Sequence, residues 1–329
     1  MKAMWFSQYG SADFLELKDI PKPCPKKNEV LVKVYGASIN SWDWELLMGK
    51  PFVNRLEFGL LKPKKINVLG CDIAGRVEAV GTTVTQFKAG DEVFGDLSRA
   101  GWGGFAEYVC APEHALVTKS ENMTYEQAAA LPQAALLALQ GLRDKGQIQP
   151  GQKVLINGAG GGVGSFALQL AKFFGAQVTG VDCASKLDVM RLAGADEVID
   201  FNKQNFTENG QHYDLILDVA AYHTLSDYKS ALSPYGRFVM VGGSMALANR
   251  LILFGRLNSI FDHKKMGLLL HKANQGLGFI NALYDAGKIV SIIDRTYHLN
   301  ELAEAFKYFE KGQTNGKIVI KINDINSPK

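Results

Sequence analysis

An apolar strand that runs into glycines and then directly into a helix leaves a chain few ways to fold. Here Lys153-Val154-Leu155-Ile156-Asn157 breaks into Gly158-Ala159-Gly160-Gly161-Gly162-Val163-Gly164. Ser165-Phe166-Ala167-Leu168-Gln169-Leu170-Ala171-Lys172 then carries the period of a helix. A strand, a glycine turn and a helix N-terminus in that order aim unpaired backbone N–H groups and the positive end of the helix dipole at one point. That arrangement suits a phosphate.

Read as G-x-G-x-x-G, the turn aligns as Ala159-x-Gly161-x-x-Gly164, with Ala159 where the first glycine usually sits. The middle glycine would let backbone approach a pyrophosphate, and the last would let helix pack close on strand. A merely flexible loop would also be rich in glycine, so the context decides. Downstream, strand-like and helix-like segments alternate. Gln177–Asp182, Glu197–Phe201, Asp214–Ala220 and Arg237–Gly243 read as further strands, near-continuously apolar as strands buried on both faces are. Helical stretches from Lys186 to Leu192 and from Tyr222 to Leu232 lie between them, ended by Gly194 and by Pro234-Tyr235-Gly236. The expected fold is α/β, a Rossmann-type doubly wound parallel sheet that holds a dinucleotide.

With 329 residues, 47% hydrophobic content and a net charge of +3, the chain has length for two domains with their own cores. This balance calls for neither nucleic acid nor a membrane surface as partner, and with no signal-peptide core near Met1 a cytoplasmic location is expected. The four cysteines, Cys24, Cys71, Cys110 and Cys183, are too scattered for a structural zinc site or a disulfide framework. His114, His263 and His271 show no metal or triad spacing. The polar tail from Asn323 to Lys329 is expected to be frayed.

The N-terminal part has a different texture. Glu29–Tyr35, Gly75–Gly81 and Gly90–Gly95 are short, alternating strands punctuated by glycine, which points to a compact antiparallel barrel. A helical stretch from Tyr125 to Arg143, interrupted by Pro132, leads toward the glycine turn. At the other end, a helix capped by Asn300 and a strand from Gly316 to Ile322 fit the barrel better than the parallel sheet. The expected division is residues 1–120 with 288–329 as one discontinuous β-barrel domain and 121–287 as the dinucleotide-binding domain. A second substrate is expected beyond the carboxyl ends of the parallel strands, facing the barrel.

Ala37-Ser38-Ile39-Asn40-Ser41-Trp42-Asp43, Leu69-Gly70-Cys71-Asp72-Ile73-Ala74-Gly75, Gly104-Phe105-Ala106-Glu107-Tyr108, Ala130-Leu131-Pro132, Leu192-Ala193-Gly194-Ala195-Asp196 and Gly316-Lys317 join the glycine turn in one pattern. Together they resemble the medium-chain dehydrogenase/reductase superfamily, and within it the zinc-free quinone oxidoreductases related to zeta-crystallin, over essentially the whole chain. The resemblance implies a GroES-like domain split around a Rossmann domain, an NADPH or NADH cofactor and a homodimer formed through sheet edges. The apolar stretches Arg237–Met245 and Leu247–Phe254 are compatible with such a dimer.

The zinc-dependent relatives use a Cys-His-Cys type set and a separate four-cysteine lobe. Here the first ligand position falls near Ser38 to Asn40 and the histidine position is Cys71, so no metal is expected. The chemistry then falls to the cofactor, with the protein supplying position and field. Asn40 matches a family asparagine at the nicotinamide face and is a candidate catalytic and cofactor-binding residue; equally, it is a turn or cap residue. Trp44, with Trp42 and Phe52, forms either an aromatic wall against a flat substrate or part of the barrel core. The segment Met48–Lys65 reads as a variable loop over the cleft.

Cofactor contacts are expected from Ala159, Gly160, Gly161, Gly162, Val163 and Gly164. Val219, Val241, Gly242 and Gly243 at strand ends and the turn Gly316-Lys317 complete the channel. Asp182 stands where a carboxylate would accept both ribose hydroxyls of NADH. Lys186 matches a position where NADPH-using relatives place a cation, or is a solvated helix start, and Phe201 replaces a tyrosine often found nearby. The leading reading is an NAD(P)H-dependent, metal-free reductase of quinones or related electron-poor carbonyl compounds. The alternatives are an NAD(P)H-dependent reductase of enal or enone double bonds and, further off, a non-catalytic dinucleotide-binding sensor or RNA-binding protein.

Overall fold

Val154-Leu155-Ile156, Leu215-Ile216-Leu217 and Phe238-Val239-Met240 are almost wholly removed from solvent, as runs apolar on both faces require. The computed structural model describes residues 1–323, with the side chains of 254–262 excepted. Strands β1 (Lys153–Asn157), β2 (Gln177–Asp182), β3 (Glu197–Asp200), β4 (Tyr213–Asp218), β5 (Leu232–Met240) and β6 (Lys265–Leu268) pair in parallel, in the order β3-β2-β1-β4-β5-β6. Strand order reverses between β2-β1 and β4, which makes the carboxyl ends at Asn157 and Asp218 the ligand-binding edge of such a sheet.

Several details depart from expectation. Pro234-Tyr235-Gly236 does not precede the fifth strand but lies within β5, where the register jumps from Tyr213 opposite Leu232 to Leu215 opposite Arg237. The extra residues bulge out, with Tyr235 at φ 65°. Arg237–Met240 is an interior strand, so it offers no edge for dimer pairing; the edges are β3 and β6. The residues beyond Leu253 in the second apolar stretch lie among those whose side chains are not described.

In the other unit, the strand Glu29–Ser38 is the hub. Asp72–Val80, Tyr108–Pro112 and Lys317–Lys321 all pair with it antiparallel, so the end of the chain returns to its beginning. Glu92–Asp96 and Val117–Thr118 extend the sheet on one side, and Ile293–His298 on the other. The helix Tyr125–Ala129 packs so closely on the hub strand that a Cβ at Gly36 would come within 2.9 Å of the Tyr125 carbonyl oxygen. That packing draws 121–133 to the barrel: the two compact units are Met1–Gln133 with Ala273–Asp285 and Ser291–Lys329, and Ala134–Lys272 with Ala286–Val290.

The helical stretch 125–143 breaks at Pro132 into Tyr125–Ala129 and Pro132–Leu139 and ends in a π-turn, Gln140–Lys145. Asn300 is not a cap: His298 and Glu301 form a reciprocal capping box instead, because the chain turns helical two residues earlier than the periodicity indicates. Met48–Lys65 is not simply a loop, since Phe52–Phe58 is a helix. Asn323 is tied by its side chain to the Val34 carbonyl, and the rest of the tail lies outside the described residues. Among the described residues no helix is long and apolar enough to cross a membrane.

The π-turn fits the sheet through a missing side chain: a Cβ at Gly141 would meet Leu217 Cδ1 at 2.5 Å. Leu217, fully buried in β4, should therefore lose about 3 kcal/mol or more of stability on replacement by Ala, through lost burial and an unfilled cavity. Leu192→Ala, at a site 86% exposed, should stay within about 0.5 kcal/mol. Urea unfolding followed by circular dichroism checks this, and equal shifts for the two variants would contradict the packing described.

Candidate functional site

Two groups of residues stand out, one in each unit. In the parallel-sheet unit, the glycine turn leaves β1 at Gly158, whose φ of 76° favours glycine. The N–H groups of Gly158 and Ala159 both donate to the Val181 carbonyl, and the Gly160 N–H donates to Asp182 Oδ2 at 3.0 Å. The turn is thus sewn to the end of β2. The helix Gly162–Phe173 starts with Gly161 as its N-cap and no side-chain cap, so its first N–H groups point outward.

The two fingerprint glycines are small for different reasons. At Gly164 a Cβ would lie 2.2 Å from the Gly158 carbonyl oxygen, so the chain's own packing demands glycine. At Gly161 the backbone sits at φ −85°, which any residue adopts, and a Cβ would meet nothing closer than the Gly158 oxygen at 3.6 Å. Nothing in the protein itself requires glycine there.

Asp182 is buried, and both its oxygens are engaged: Oδ2 by Gly160 and Oδ1 by the Cys183 N–H at 2.9 Å. The Lys186 side chain runs across Gly160, where a Cβ would come within 2.6 Å of its stem. Its ammonium is buried yet lies 3.6 Å from Asp182 Oδ1, an ion pair too long to be a hydrogen bond. Phe201, part-exposed, donates its N–H to the Asp182 carbonyl. Val219 packs beside Gly158, Val241 and Gly242 both donate to the Asp218 carbonyl, and Gly243 bridges Ala221.

Beneath these strand ends lies a network that sequence reasoning missed. Asp218 is fully buried and accepts from the Tyr228 hydroxyl at 2.7 Å, Asn157 Nδ2 at 2.9 Å and the Ala220 N–H. Burial pushes its carboxyl up to about 6 despite these donors. No local pattern announces it, because Asn157 and Tyr228 reach it from other elements.

In the barrel unit, Asn40 caps the helix Ser41–Met48 and is buried. Its Nδ2 donates to Asp72 Oδ2 at 2.9 Å and Cys71 Sγ at 3.3 Å, and its Oδ1 accepts from Lys317 Nζ at 2.5 Å. Lys317 also donates to the Ile39 carbonyl and lies 3.7 Å from Asp72. Gly316, at φ 83°, lets the chain pass the Ile292 carbonyl, which a Cβ would approach to 2.3 Å. Asn40 and Lys317 thus meet beside Cys71 and Asp72, while the glycine turn and its partners form a second set.

Cys71, Asp72 and Asp96 bring potential ligand atoms within 4.8 Å of one another. Burial, with the carboxylates of Asp43, Asp72 and Asp96, drives the Cys71 thiol well above its usual range. Burial raises Asp72 to about 6, with Lys317 pulling the other way, and raises Asp43 to about 7 although the Asn40 and Gly70 N–H groups donate to it. Each Asp72 oxygen already accepts a hydrogen bond, Oδ1 from the Gln133 N–H and Oδ2 from Ser38 and Asn40.

Trp44 is half-buried against the barrel core with its indole nitrogen unpartnered, and Phe52 is 61% exposed. Trp42 instead lines a cavity of about 510 Å³ with Glu45, Phe58, Ser98, Arg99 and Trp102.

Comparison with known proteins places this geometry. Residues 26–121 match the alcohol dehydrogenase GroES-like domain and 193–320 the zinc-binding dehydrogenase model. The chain is 32% identical to a chloroplast envelope quinone oxidoreductase homolog of Arabidopsis thaliana, over 98% of both chains. It is 31% identical to a 2-methylene-furan-3-one reductase of Solanum lycopersicum, over 97% of this chain and 79% of that one. A solved quinone oxidoreductase from Coxiella burnetii superposes with a TM-score of 0.85 at 31% identity, covering 98% of this chain and 99% of the other. With identity at this level along its whole length, the chain belongs to the quinone oxidoreductase family of the medium-chain dehydrogenase/reductase superfamily.

Proposed function

We propose that this enzyme reduces quinones or related electron-poor carbonyl compounds with NADPH and without a metal ion. The observation that carries the reading is the room left at Gly161. A glycine that neither backbone conformation nor packing requires sits at the N-terminus of a twelve-residue helix, where a pyrophosphate would need backbone to come close. Ala159 to Gly164 would hold the pyrophosphate, and Val219, Val241, Gly242 and Gly243 would line the same strand-end edge. The nicotinamide, when bound, supplies hydride to the acceptor.

The choice of NADPH rests on Lys186. Asp182, the residue that favours NADH by position, already holds two backbone N–H groups and faces a cation. The Lys186 ammonium is the group short of hydrogen bonds, and a ribose phosphate would satisfy it.

The barrel trio does not fit zinc. The cluster offers a single cysteine and no histidine, and the Cys71 sulfur already receives amide N–H groups from Asn40 and Gln133. Lys317 already supplies the cation beside Asp72. In this reading Asn40 and Lys317 build the barrel's polar interior rather than a metal centre.

A second reading, reduction of an activated carbon–carbon double bond, is favoured by the likeness to the tomato furanone reductase. Both acceptor types are conjugated carbonyls.

Incubation with NADPH and phenanthrenequinone should consume nicotinamide absorbance, and exhaustive dialysis against a chelator should leave the rate unchanged. An enone run alongside discriminates the second reading; silence with both acceptors, or activity restored only by zinc, would overturn the proposal. Gly161→Ala should fold with normal stability yet bind NADPH about tenfold or more weakly, whereas Gly164→Ala should lower the unfolding temperature as well. Unaltered cofactor affinity in Gly161→Ala, by calorimetry, would remove the turn from the argument. Lys186→Met should cost NADPH about tenfold in affinity and NADH little. Equal losses for the two cofactors would mean that Lys186 does not meet the phosphate.

A further inference from the structure

The barrel unit contains a cavity of about 510 Å³, within the range that holds a small organic ligand. Its apolar walls are Trp42 and Leu46 from the helix Ser41–Met48, Phe58 from the helix Phe52–Phe58, Ile66, and Trp102, and polar side chains line the rest. Trp102 is held at φ 63°, a conformation bulky residues avoid, by a turn in which the Ala100 and Trp102 N–H groups both donate to the Leu97 carbonyl. The Arg99 guanidinium lies over the Trp42 ring, 6.0 Å from its centre.

Two polar groups on this lining are withdrawn from solvent without a partner. Glu45 is half-buried, and its carboxyl makes no hydrogen bond or ion pair with the described residues. Ser98 Oγ is buried and likewise unpartnered. Unsatisfied polar atoms beside aromatic walls describe a ligand that is flat and carries hydrogen-bonding oxygens.

We infer that this cavity seats the carbonyl substrate and that Glu45, in its protonated form, donates a hydrogen bond to the substrate's carbonyl oxygen, making Glu45 a specificity-determining residue. The inference rests on the quinone or enone reading above. Ser98 offers a second donor, and Trp42, Phe58 and Trp102 sandwich the ring. Burial alone raises the Glu45 carboxyl to about 7, so the donor form is present in neutral solution and is lost as pH rises through that value. The charged groups sharing the cavity are Glu57 on the helix Phe52–Phe58, Lys65 on the following segment and Arg99 beside Ser98. On its own helix, Asp43 turns inward to the Asn40 and Gly70 N–H groups.

The test is a titration of the cofactor-free protein with phenanthrenequinone, read by quenching of tryptophan fluorescence, at about pH 5.5 and about pH 8.5. Wild type should bind about tenfold more weakly at the higher pH. Glu45→Gln, which keeps an N–H donor at every pH, should bind equally well at both. Glu45→Leu should bind weakly at both, and in turnover with NADPH its KM should rise more than its kcat falls. Identical, pH-independent affinities for all three proteins, each still turning over quinone with one KM, would overturn the cavity assignment and leave the reductase reading standing. Quenching that follows the expected pattern without any turnover would keep the cavity and refute the reductase.

Discussion

The barrel unit depends on one buried ammonium. Lys317 enters from the last strand, accessible to solvent by only 3%, and places Nζ against the Ile39 carbonyl, Asn40 Oδ1 and the Asp72 carboxylate. Removing one member of such a buried pair strands the other charge and costs about 3–5 kcal/mol. The contact therefore couples the C-terminal strand to the hub strand and to the helix cap at Asn40. A domain interrupted in sequence by some hundred and forty residues needs such a clamp, because chain connectivity alone does not hold its two pieces together. The same cation neutralises a carboxylate beside Cys71, so one interaction both closes the unit and sets the charge of its polar interior.

The glycine turn answers to a different constraint. Gly164 is dictated by contact with Gly158, a demand internal to the protein, while Gly161 is not dictated by the protein at all. A glycine costs backbone entropy relative to any other residue, of the order of 0.5–1 kcal/mol. That a residue is kept small against this cost, at a helix N-terminus with open N–H groups, is an argument for a partner that packs where the side chain would be.

Much of this was legible in the sequence. Continuous apolar runs located the first five parallel strands to within a few residues, because burial on both faces writes itself directly into composition. The sixth, Lys265-Met266-Gly267-Leu268, was invisible: an edge strand of four residues with a lysine and a glycine has no such run. Resemblance placed Asn40 and Lys317 in one list without indicating that they touch. Gln133 and Asp218 gave no signal, since the Asp72 and Tyr228 groups they bind are brought to them by tertiary folding. Reading Met48–Lys65 as a loop failed because the helix Phe52–Phe58 has only seven residues between Pro51 and Gly59, too few for its apolar spacing to stand out.

Raised carboxyl pKa values do not by themselves pick out the functional groups of this fold. Asp43 and Glu45 both stand near 7, and Asp72 and Asp218 near 6, in each case because burial disfavours the charge. The four part company on satisfaction. Asp43 holds two backbone N–H groups, Asp72 holds amide and hydroxyl donors and an ammonium, and Asp218 holds a phenol, an amide and a backbone N–H. Their desolvation is offset inside the protein, and they fix geometry. Glu45 alone among them faces a cavity with its hydrogen-bonding capacity unspent. A buried polar group with nothing to bind is a standing cost to the folded state, and where that cost lines a space of ligand size, the ligand is the partner that removes it.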